Sequence, residues 1–259
     1  MAVLHDTDIA YRYSRFASSK QTGTDIRLMH GVTGDRSKMS PTPAGEPPSR
    51  TVLLLLVLMT GLAPVSLYML VPALPVLVTA FGSDISIAQM TVSLYMVGLA
   101  FSQILMGPLS DRYGRRPILL GGIVLMAVAS VGCIFAESLP QLIVARFFQA
   151  LGGASGMVIA RAIIRDLYPR ERVGAMISLV VAALMIGQLL SPLAGGLLQT
   201  TLGWRAIFYA TTIASILIVT GIAVALPETR RRTDATAESG FLRDARILLS
   251  NRAFVGYVL

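Results

Sequence analysis

The chain has 259 residues, of which 54% are hydrophobic and only 14% are charged. Water-soluble domains carry about 25% charged residues, so this composition excludes a soluble globular protein and predicts one embedded in a membrane. The formal net charge of +8 does not indicate nucleic-acid binding, because the arginines lie in short segments between apolar runs, where they act as topological anchors.

Residues 1–50 are polar and mixed in charge, and they end in a proline-rich stretch at 41–48. This composition predicts a disordered cytoplasmic tail, and it lacks the basic segment and short apolar core of a secretory signal. Met39 opens a compact polar lead-in to the first apolar run, and we hypothesise that translation starts there. A peptide from residues 1–38 in the expressed protein would exclude this start.

Six apolar runs follow. Each is close to the ~20 residues that an α-helix needs to cross a bilayer. Together they predict an all-α membrane fold of six transmembrane helices within residues 51–228. The predicted bounds, good to a few residues, are Val52–Val78, Ile87–Met106, Pro117–Ala136, Leu139–Ala160, Val173–Leu198 and Arg205–Leu226.

The segments that connect these runs alternate in charge. One set contains Asp84, Glu137 and a single arginine, Arg205, whereas the other set contains nine arginines. Cytoplasmic loops are enriched in arginine and lysine, which predicts a multi-pass membrane protein with a cytoplasmic N-terminus. The nine are Arg112, Arg115, Arg116, Arg165, Arg170, Arg172, Arg230, Arg231 and Arg232.

The sixth run is followed by a charged segment at 229–252, which predicts a cytoplasmic linker with a short amphipathic helix around Phe241–Leu249. Residues 253–259 are apolar again, but seven residues cannot cross a bilayer. We therefore expect them to be the truncated start of a seventh helix, in a chain that is a fragment or a truncated gene product.

The string from Gly107 to Pro117 joins the second and third runs. Its two glycines would permit a tight turn and close helix approach, and its aspartate would be held by the surrounding arginines in a charge-assisted network. A basic anchor loop without further function is the simpler alternative. The candidate residues of this string are Gly107, Asp111, Arg112, Gly114, Arg115 and Arg116.

The fourth run carries a charge, Arg146, some seven residues inside its start. A charge at this depth is costly and usually faces protein or water, although the side chain could instead extend to the outer headgroups. Gln149 and Gly153 lie on the same helical face as Arg146, at i+3 and i+7, so a polar stripe points in one direction.

The fifth run contains a strip of small residues. Gly187, Ser191 and Gly195 recur every four residues and form a smooth surface for close helix contact, next to Gly196. Pro192 removes one backbone hydrogen bond and bends the helix. Small-residue packing of this kind is also common in membrane helices that have no special role.

Together these three strings resemble the signature motifs of the major facilitator superfamily. With Pro72–Pro75 and Leu226–Thr229, they are similar to the Bcr/CflA (bicyclomycin-resistance type) drug/proton antiporters over about residues 52–229. The resemblance implies an N-terminal bundle of two three-helix repeats, whose partner is a missing C-terminal six-helix half. It implies multidrug efflux of a small apolar or amphipathic drug-like substrate across the lipid bilayer, by proton antiport with alternating access and no cofactor besides the proton gradient.

The resemblance also assigns roles to the three motifs. The string at 107–116 is implied to be a conformational latch, and Arg146 with Gln149 a candidate for proton coupling. The segment Gly187–Gly196 is implied to be the antiporter motif, although Ser191 stands where that motif carries glycine.

A second departure from the family pattern concerns the residue that would carry the proton. The Bcr/CflA branch commonly carries an acid in the first helix, shortly before the Pro72 string, and this chain has Tyr68 there. No carboxylate lies inside any predicted span. Tyrosine, with an unperturbed pKa of about 10, is a poor proton carrier at neutral pH. The proton site therefore lies in the missing half, or coupling in this protein differs from the family pattern.

Adaptable or polar side chains near the middle of the spans are candidates for a drug pocket, because they suit varied apolar molecules. Each such side chain is also compatible with plain core packing or with a lipid-facing position. The candidates are Tyr68, Met69, Tyr95, Met96 and Gln188.

Two other functions were considered. The string Gly153–Gly156 matches the Gly-x-Ser-Gly motif of rhomboid-type intramembrane proteases, but a serine nucleophile needs a base, and both histidines, His5 and His30, lie in the tail. An enzyme is therefore not expected, and the single Cys133 excludes a disulfide framework or a zinc cluster. The other alternative is a half-transporter that has no activity alone and must pair with a copy of itself or with a separately encoded half.

Overall fold

The structure, a computed structural model, describes residues 50–225, with side chains from residue 51 onwards. This part contains six spans that are long and apolar enough to cross a membrane, as predicted. Its elements are α1 (Arg50–Leu70), a 3-10 turn (Val71–Ala73), α2 (Leu74–Phe81), α3 (Ile85–Tyr113), α4 (Arg115–Ile134), α5 (Leu139–Leu167), α6 (Arg170–Leu202) and α7 (Arg205–Ala225). The predicted tail, the linker at 229–252, the helix at Phe241–Leu249, the arginines at 230–232 and the stub at 253–259 lie outside the described residues.

Several helices continue beyond their predicted bounds on the arginine-rich side. The helix α3 extends to Tyr113, although the predicted span ended at Met106. Charged side chains mark the end of the hydrocarbon region, but they leave the backbone hydrogen bonds of the helix intact. The helix ends only at Gly114, whose φ of 102° favours glycine. The predicted turn is therefore confined to Gly114, and the prediction that Gly107 also forms it was wrong, because Gly107 lies inside α3.

The first span is interrupted by the 3-10 turn between α1 and α2. Pro72 lies in this turn and Pro75 lies at the start of α2, so neither residue can donate a backbone hydrogen bond. The Leu74 N–H bonds to the Val71 carbonyl instead. The local sequence thus explains the break that divides one membrane span into two helices.

The helices pack in a pattern that the three-helix repeat explains. The central helix α5 packs against α3, α4 and α1, while α1 packs against α6 and α7, and α4 packs against α7. The first repeat contains α1 with α2, α3 and α4, and the second contains α5, α6 and α7. Exchange of the two repeats turns the α3–α5 contact into the α6–α1 contact, and the α4–α5 contact into the α7–α1 contact. The helix pairs therefore agree with two three-helix repeats.

Glycines allow close contact in two helix pairs that the repeat relates, α3 with α5 and α6 with α1. A Cβ at Gly98 of α3 would collide with the Phe147 carbonyl oxygen of α5. A Cβ at Gly195 of α6 would likewise collide with the Met69 carbonyl oxygen of α1. Close backbone approach at small residues is the main way in which helices associate tightly inside a membrane.

Two arginines join α4 and α7 at their opposite ends. Arg205, at the start of α7, donates to the Ile134 and Ala136 carbonyls at the end of α4, at 3.0 Å and 3.4 Å. Arg116, at the start of α4, donates to the Ala223 carbonyl at the end of α7, at 2.6 Å. The last carbonyls of a helix have no partner within it, so each helix caps the other.

We predict opposite effects for two glycine-to-alanine substitutions. A Cβ at Gly156 of α5 would collide with the Met59 carbonyl of α1, whereas a Cβ at Gly121 of α4 has no atom within 4 Å. Gly156→Ala should lower the free energy of unfolding by about 1–3 kcal/mol through overpacking. Gly121→Ala, the matched control, should be neutral or stabilising by up to about 1 kcal/mol. Thermal unfolding in detergent measures both variants, and equal midpoints would contradict the glycine-mediated contact.

Candidate functional site

The interior of the bundle contains one buried charge. Arg146 of α5 is fully buried, and no other charged side chain within residues 51–225 is buried. The guanidinium therefore does not extend to the headgroups, which the sequence left as an alternative. A charge held away from water and lipid headgroups is costly and needs polar partners.

Three polar side chains from three helices surround this charge. The Arg146 Nη1 donates to Gln149 Oε1 at 2.6 Å and to Ser66 Oγ of α1 at 3.2 Å. The Gln149 Nε2 donates to Ser130 Oγ of α4 at 2.6 Å, and Ser130 in turn donates to the Met126 carbonyl. The spacing of three residues on α5 brings Arg146 and Gln149 together, as the predicted polar stripe required.

Aromatic rings enclose the same guanidinium. Its Cζ lies 4.0 Å from the centroid of the Tyr95 ring of α3 and 5.9 Å from that of Phe208 of α7. The Tyr95 hydroxyl donates to the Ala63 carbonyl of α1 at 2.8 Å, which holds the ring in place. A desolvated cation–π contact contributes about 2 kcal/mol or more. We name Arg146, Gln149, Ser66, Ser130 and Tyr95 the Arg146 cluster.

The composition of the Arg146 cluster was only partly predictable. Arg146 and Gln149 were identified as one pair, and Tyr95 was identified separately as a pocket residue. Ser66 and Ser130 were missed, because a single serine in an apolar helix most often bonds to its own backbone and gives no signal. Only the helix packing shows which serines face the charge.

The three arginines near Asp111 have separate partners. The Arg115 Nε lies 2.6 Å from Asp166 Oδ2 at the end of α5, and its Nη2 lies 3.8 Å from Asp111 Oδ1. Arg116 caps α7, and the Arg112 guanidinium lies 5.5 Å from the centroid of the Tyr113 ring. The sequence did not identify Asp166 as a site residue.

The carboxylates of Asp111 and Asp166 differ in their exposure to solvent. The Asp111 side chain is 69% exposed, whereas those of Asp166 and Arg115 are 27% and 17% exposed. Asp166 is therefore the principal acidic partner at this end of the bundle. Asp111 contacts one of the surrounding arginines, Arg115, but its carboxylate is mostly exposed.

The small residues of the fifth run lie against the first span. Ser191 is buried, and Gly195 packs on the Met69 carbonyl, immediately before the 3-10 turn. A Cβ at Gly187 would lie 3.4 Å from Val65, and one at Gly196 would lie 4.0 Å from Pro72. The Pro192 ring is on the exposed side of α6. The strip thus seats α6 beside the break between α1 and α2.

The pocket candidates divide into two groups. Met69 and Tyr95 are buried inside the bundle, so a ligand reaches them only after a rearrangement. Tyr68 and Met96 are 37% and 49% exposed, and Gln188 is half-buried on α6. The structure therefore does not assemble the five into one preformed pocket. Within residues 50–225, no cluster of histidine, cysteine or acidic side chains is arranged to hold a metal ion.

Comparisons with known proteins identify the family. The family model of the Major Facilitator Superfamily matches residues 56–259, so the chain belongs to this superfamily and is a multi-pass membrane protein. The chain is 36% identical over 170 residues to a chloramphenicol resistance protein of Pseudomonas aeruginosa, covering 65% of this chain and 41% of that protein. It is 32% identical over 208 residues to multidrug resistance protein D of Escherichia coli, covering 80% and 52%.

A solved structure shows the same fold. The crystal structure of the peptide transporter POT in complex with sulfate superposes with a TM-score of 0.64 at 20% identity, covering 83% of this chain and 48% of the transporter. The chain spans about half the length of the curated relatives it matches.

We predict that Asp166 matters more to stability than Asp111. Asp166→Asn removes the short, half-buried contact with Arg115, and should lower the free energy of unfolding by about 1–2 kcal/mol. Asp111→Asn, the matched control at an exposed carboxylate, should change it by less than about 0.5 kcal/mol. Unfolding in detergent at low and high salt measures both effects. An effect of Asp111→Asn equal to or larger than that of Asp166→Asn would contradict this ranking of the two carboxylates.

Proposed function

We propose that this chain is the N-terminal six-helix bundle of a drug exporter driven by proton antiport, in the bacterial inner membrane with its N-terminus in the cytoplasm. Membership of the superfamily and the names of two relatives, a chloramphenicol resistance protein and a multidrug resistance protein, support this proposal. Because those relatives are about twice as long, the complete activity requires a second six-helix half. The substrate is a small apolar or amphipathic drug-like molecule.

The buried charge of Arg146 is the observation that carries the proposal. Packing alone gives no reason to keep a guanidinium in the centre of an apolar bundle, since an apolar side chain of similar volume is usually at least as stable there. Charged groups retained inside membrane domains are typically found on ion or substrate pathways. The Arg146 cluster is therefore the candidate coupling site of the transporter.

Arg146 cannot itself carry the proton, because a guanidinium is not deprotonated in proteins. It acts through its positive charge, which lowers the pKa of any acid that approaches it. No Asp or Glu within residues 51–225 lies in the interior of the bundle. The titrating acid of the cycle is therefore assigned to the second half of the transporter or to the substrate.

Alternating access would come from movement of this bundle against a second one. In transporters built from repeats, one bundle rocks against the other around a substrate site near the membrane midplane. The string at 107–116, whose Arg115 is held to Asp166 within this bundle, would act as the latch at the cytoplasmic end. The strip on α6 allows movement beside the break in the first span, since it contributes only small side chains there.

The exposed faces of the bundle favour the half-transporter alternative for the chain by itself. The helices α3 and α6 present many large apolar side chains that nothing in the described residues covers, among them Phe101, Ile104, Leu189 and Leu193. In a complete transporter, a second bundle would cover part of this surface. The chain alone is thus expected to insert into the membrane without transporting drugs.

Drug efflux tests the proposal. Cells that express the complete gene should accumulate less ethidium or chloramphenicol than cells without it, and an uncoupler of the proton gradient should abolish the difference. Expression of residues 1–259 alone should leave accumulation unchanged. Accumulation that responds to neither the complete gene nor the uncoupler would exclude a proton-driven drug exporter.

The role of Arg146 is tested by a matched pair of arginine variants. Arg146→Ala removes the buried charge and should abolish efflux while the protein remains in the membrane. Arg161→Ala removes an exposed arginine of the same helix and should retain at least half of the activity. Membrane levels measured by immunoblot separate loss of function from loss of protein. Efflux that is unchanged in Arg146→Ala would make Arg146 a structural residue only.

A further inference from the structure

One edge of the buried guanidinium has no partner in the protein. Nη1 of Arg146 is used twice, by Gln149 and by Ser66. Nε and Nη2 are both buried, and neither donates a hydrogen bond. An unpaired N–H of a charged group in the protein interior is strongly unfavourable, so these two donors indicate a missing acceptor.

The two unpaired donors have the geometry of a known recognition pattern. In a planar guanidinium, the N–H groups of Nε and Nη2 lie on one side and point in parallel. This edge matches the two oxygens of a carboxylate, which accepts both hydrogen bonds at once. The two hydrogen bonds that Nη1 donates and the contact with the Tyr95 ring fix the plane of the guanidinium, so the free edge is preorganised.

No described side chain supplies that carboxylate. Every Asp and Glu within residues 51–225 lies at a helix end or in a connection, and neither ion pair of the described residues involves Arg146. Arg146 lies seven residues into α5, which is about 10 Å along the helix axis. The site is therefore a single positive charge with two free donors.

The surroundings of the charge favour an organic ligand over a hydrated inorganic anion. The Tyr95 ring and the Phe208 ring lie next to the guanidinium, and Leu67 packs with Tyr95 in the same small apolar cluster. Apolar and aromatic walls with one fixed polar anchor are typical of sites for amphipathic small molecules. Phosphate or sulfate would lose more hydration here and gain fewer contacts.

We propose that the Nε/Nη2 edge of Arg146 binds a carboxylate, so that amphipathic organic monocarboxylates are among the molecules that this protein transports. This inference rests on the transport function proposed above. Because the guanidinium is fully enclosed, the ligand enters when α3 and its Tyr95 ring move away from α5. Such a rearrangement is expected of a protein that alternates between two conformations.

Binding to the chain itself tests the site without requiring transport. Trp204 is the only tryptophan of the chain, and its ring centroid lies 6.1 Å from that of Phe208, which contacts Arg146. Titration of the purified 259-residue chain in detergent with 4-butylbenzoate should therefore change the Trp204 fluorescence in a saturable way. The uncharged analogue 4-butylbenzamide should bind at least about 10-fold more weakly, because it cannot accept two charge-assisted hydrogen bonds.

Substitutions test whether the change in Trp204 fluorescence reports binding at Arg146. Arg146→Lys keeps the charge but lacks the planar fork, and should weaken carboxylate binding by about 10- to 100-fold. Arg161→Lys, the control at an exposed position of the same helix, should leave it unchanged. The comparison of benzoate with benzamide on the unmodified chain remains decisive even if Arg146→Lys fails to fold.

The outcomes separate this inference from the transport proposal. Equal binding of benzoate and benzamide, or no response to either, would overturn the carboxylate site. In vesicles with the complete protein, the benzoate should compete with drug efflux and the benzamide should not. Carboxylate binding without efflux would retain the site and refute transport, whereas efflux that is equally sensitive to both analogues would refute only the site.

Discussion

The organisation of this bundle depends on a positive charge that cannot be removed and that lies where no water or lipid headgroup reaches it. A guanidinium keeps its proton under all physiological conditions, so burial of Arg146 cannot be relieved by neutralisation, as it can for lysine or an acid. The protein must surround the charge with dipoles and ring faces. Gln149, Ser66 and the Tyr95 ring meet this requirement from three helices, and their positions fix how α1, α3 and α5 face one another.

Close packing makes this solvation possible. The short side chain of Ser66 reaches the guanidinium only if α1 and α5 approach closely, and Gly153 and Gly156 of α5 allow that approach against Ala63 and Met59. The same device recurs between α6 and α1, which Gly195 brings together. Glycine strips and the buried charge are thus parts of one arrangement. The arginine caps between α4 and α7 complete it, because they fix the ends of the helices that flank the central pair.

The sequence predicts the parts of this structure that depend on local composition. Hydrophobic runs located all six spans, and the spacing of Arg146 and Gln149 placed both on one face of α5. The helix ends on the arginine-rich side were missed, because charge marks where the membrane ends and not where the helix ends. Asp166 and Ser66 were missed as partners for a different reason: each meets its arginine across more than fifty residues of sequence, and only tertiary packing sets that register.

The tyrosine that replaces the expected acid in the first helix does not by itself explain the unpaired edge of Arg146. Successive residues of an α-helix are about 100° apart, so Ser66 and Tyr68 point to different sides of α1. Ser66 faces the guanidinium, whereas Tyr68 is 37% exposed on the surface of the bundle. An acid at position 68 would therefore sit at the bundle surface and would leave the Nε/Nη2 edge without a partner in this conformation. The described bundle has a net positive centre with or without that acid, and the neutralising charge has to arrive from outside it. A ligand that brings its own carboxylate meets this condition, and it also brings a group that can exchange a proton to a bundle whose described residues place no acid in its interior.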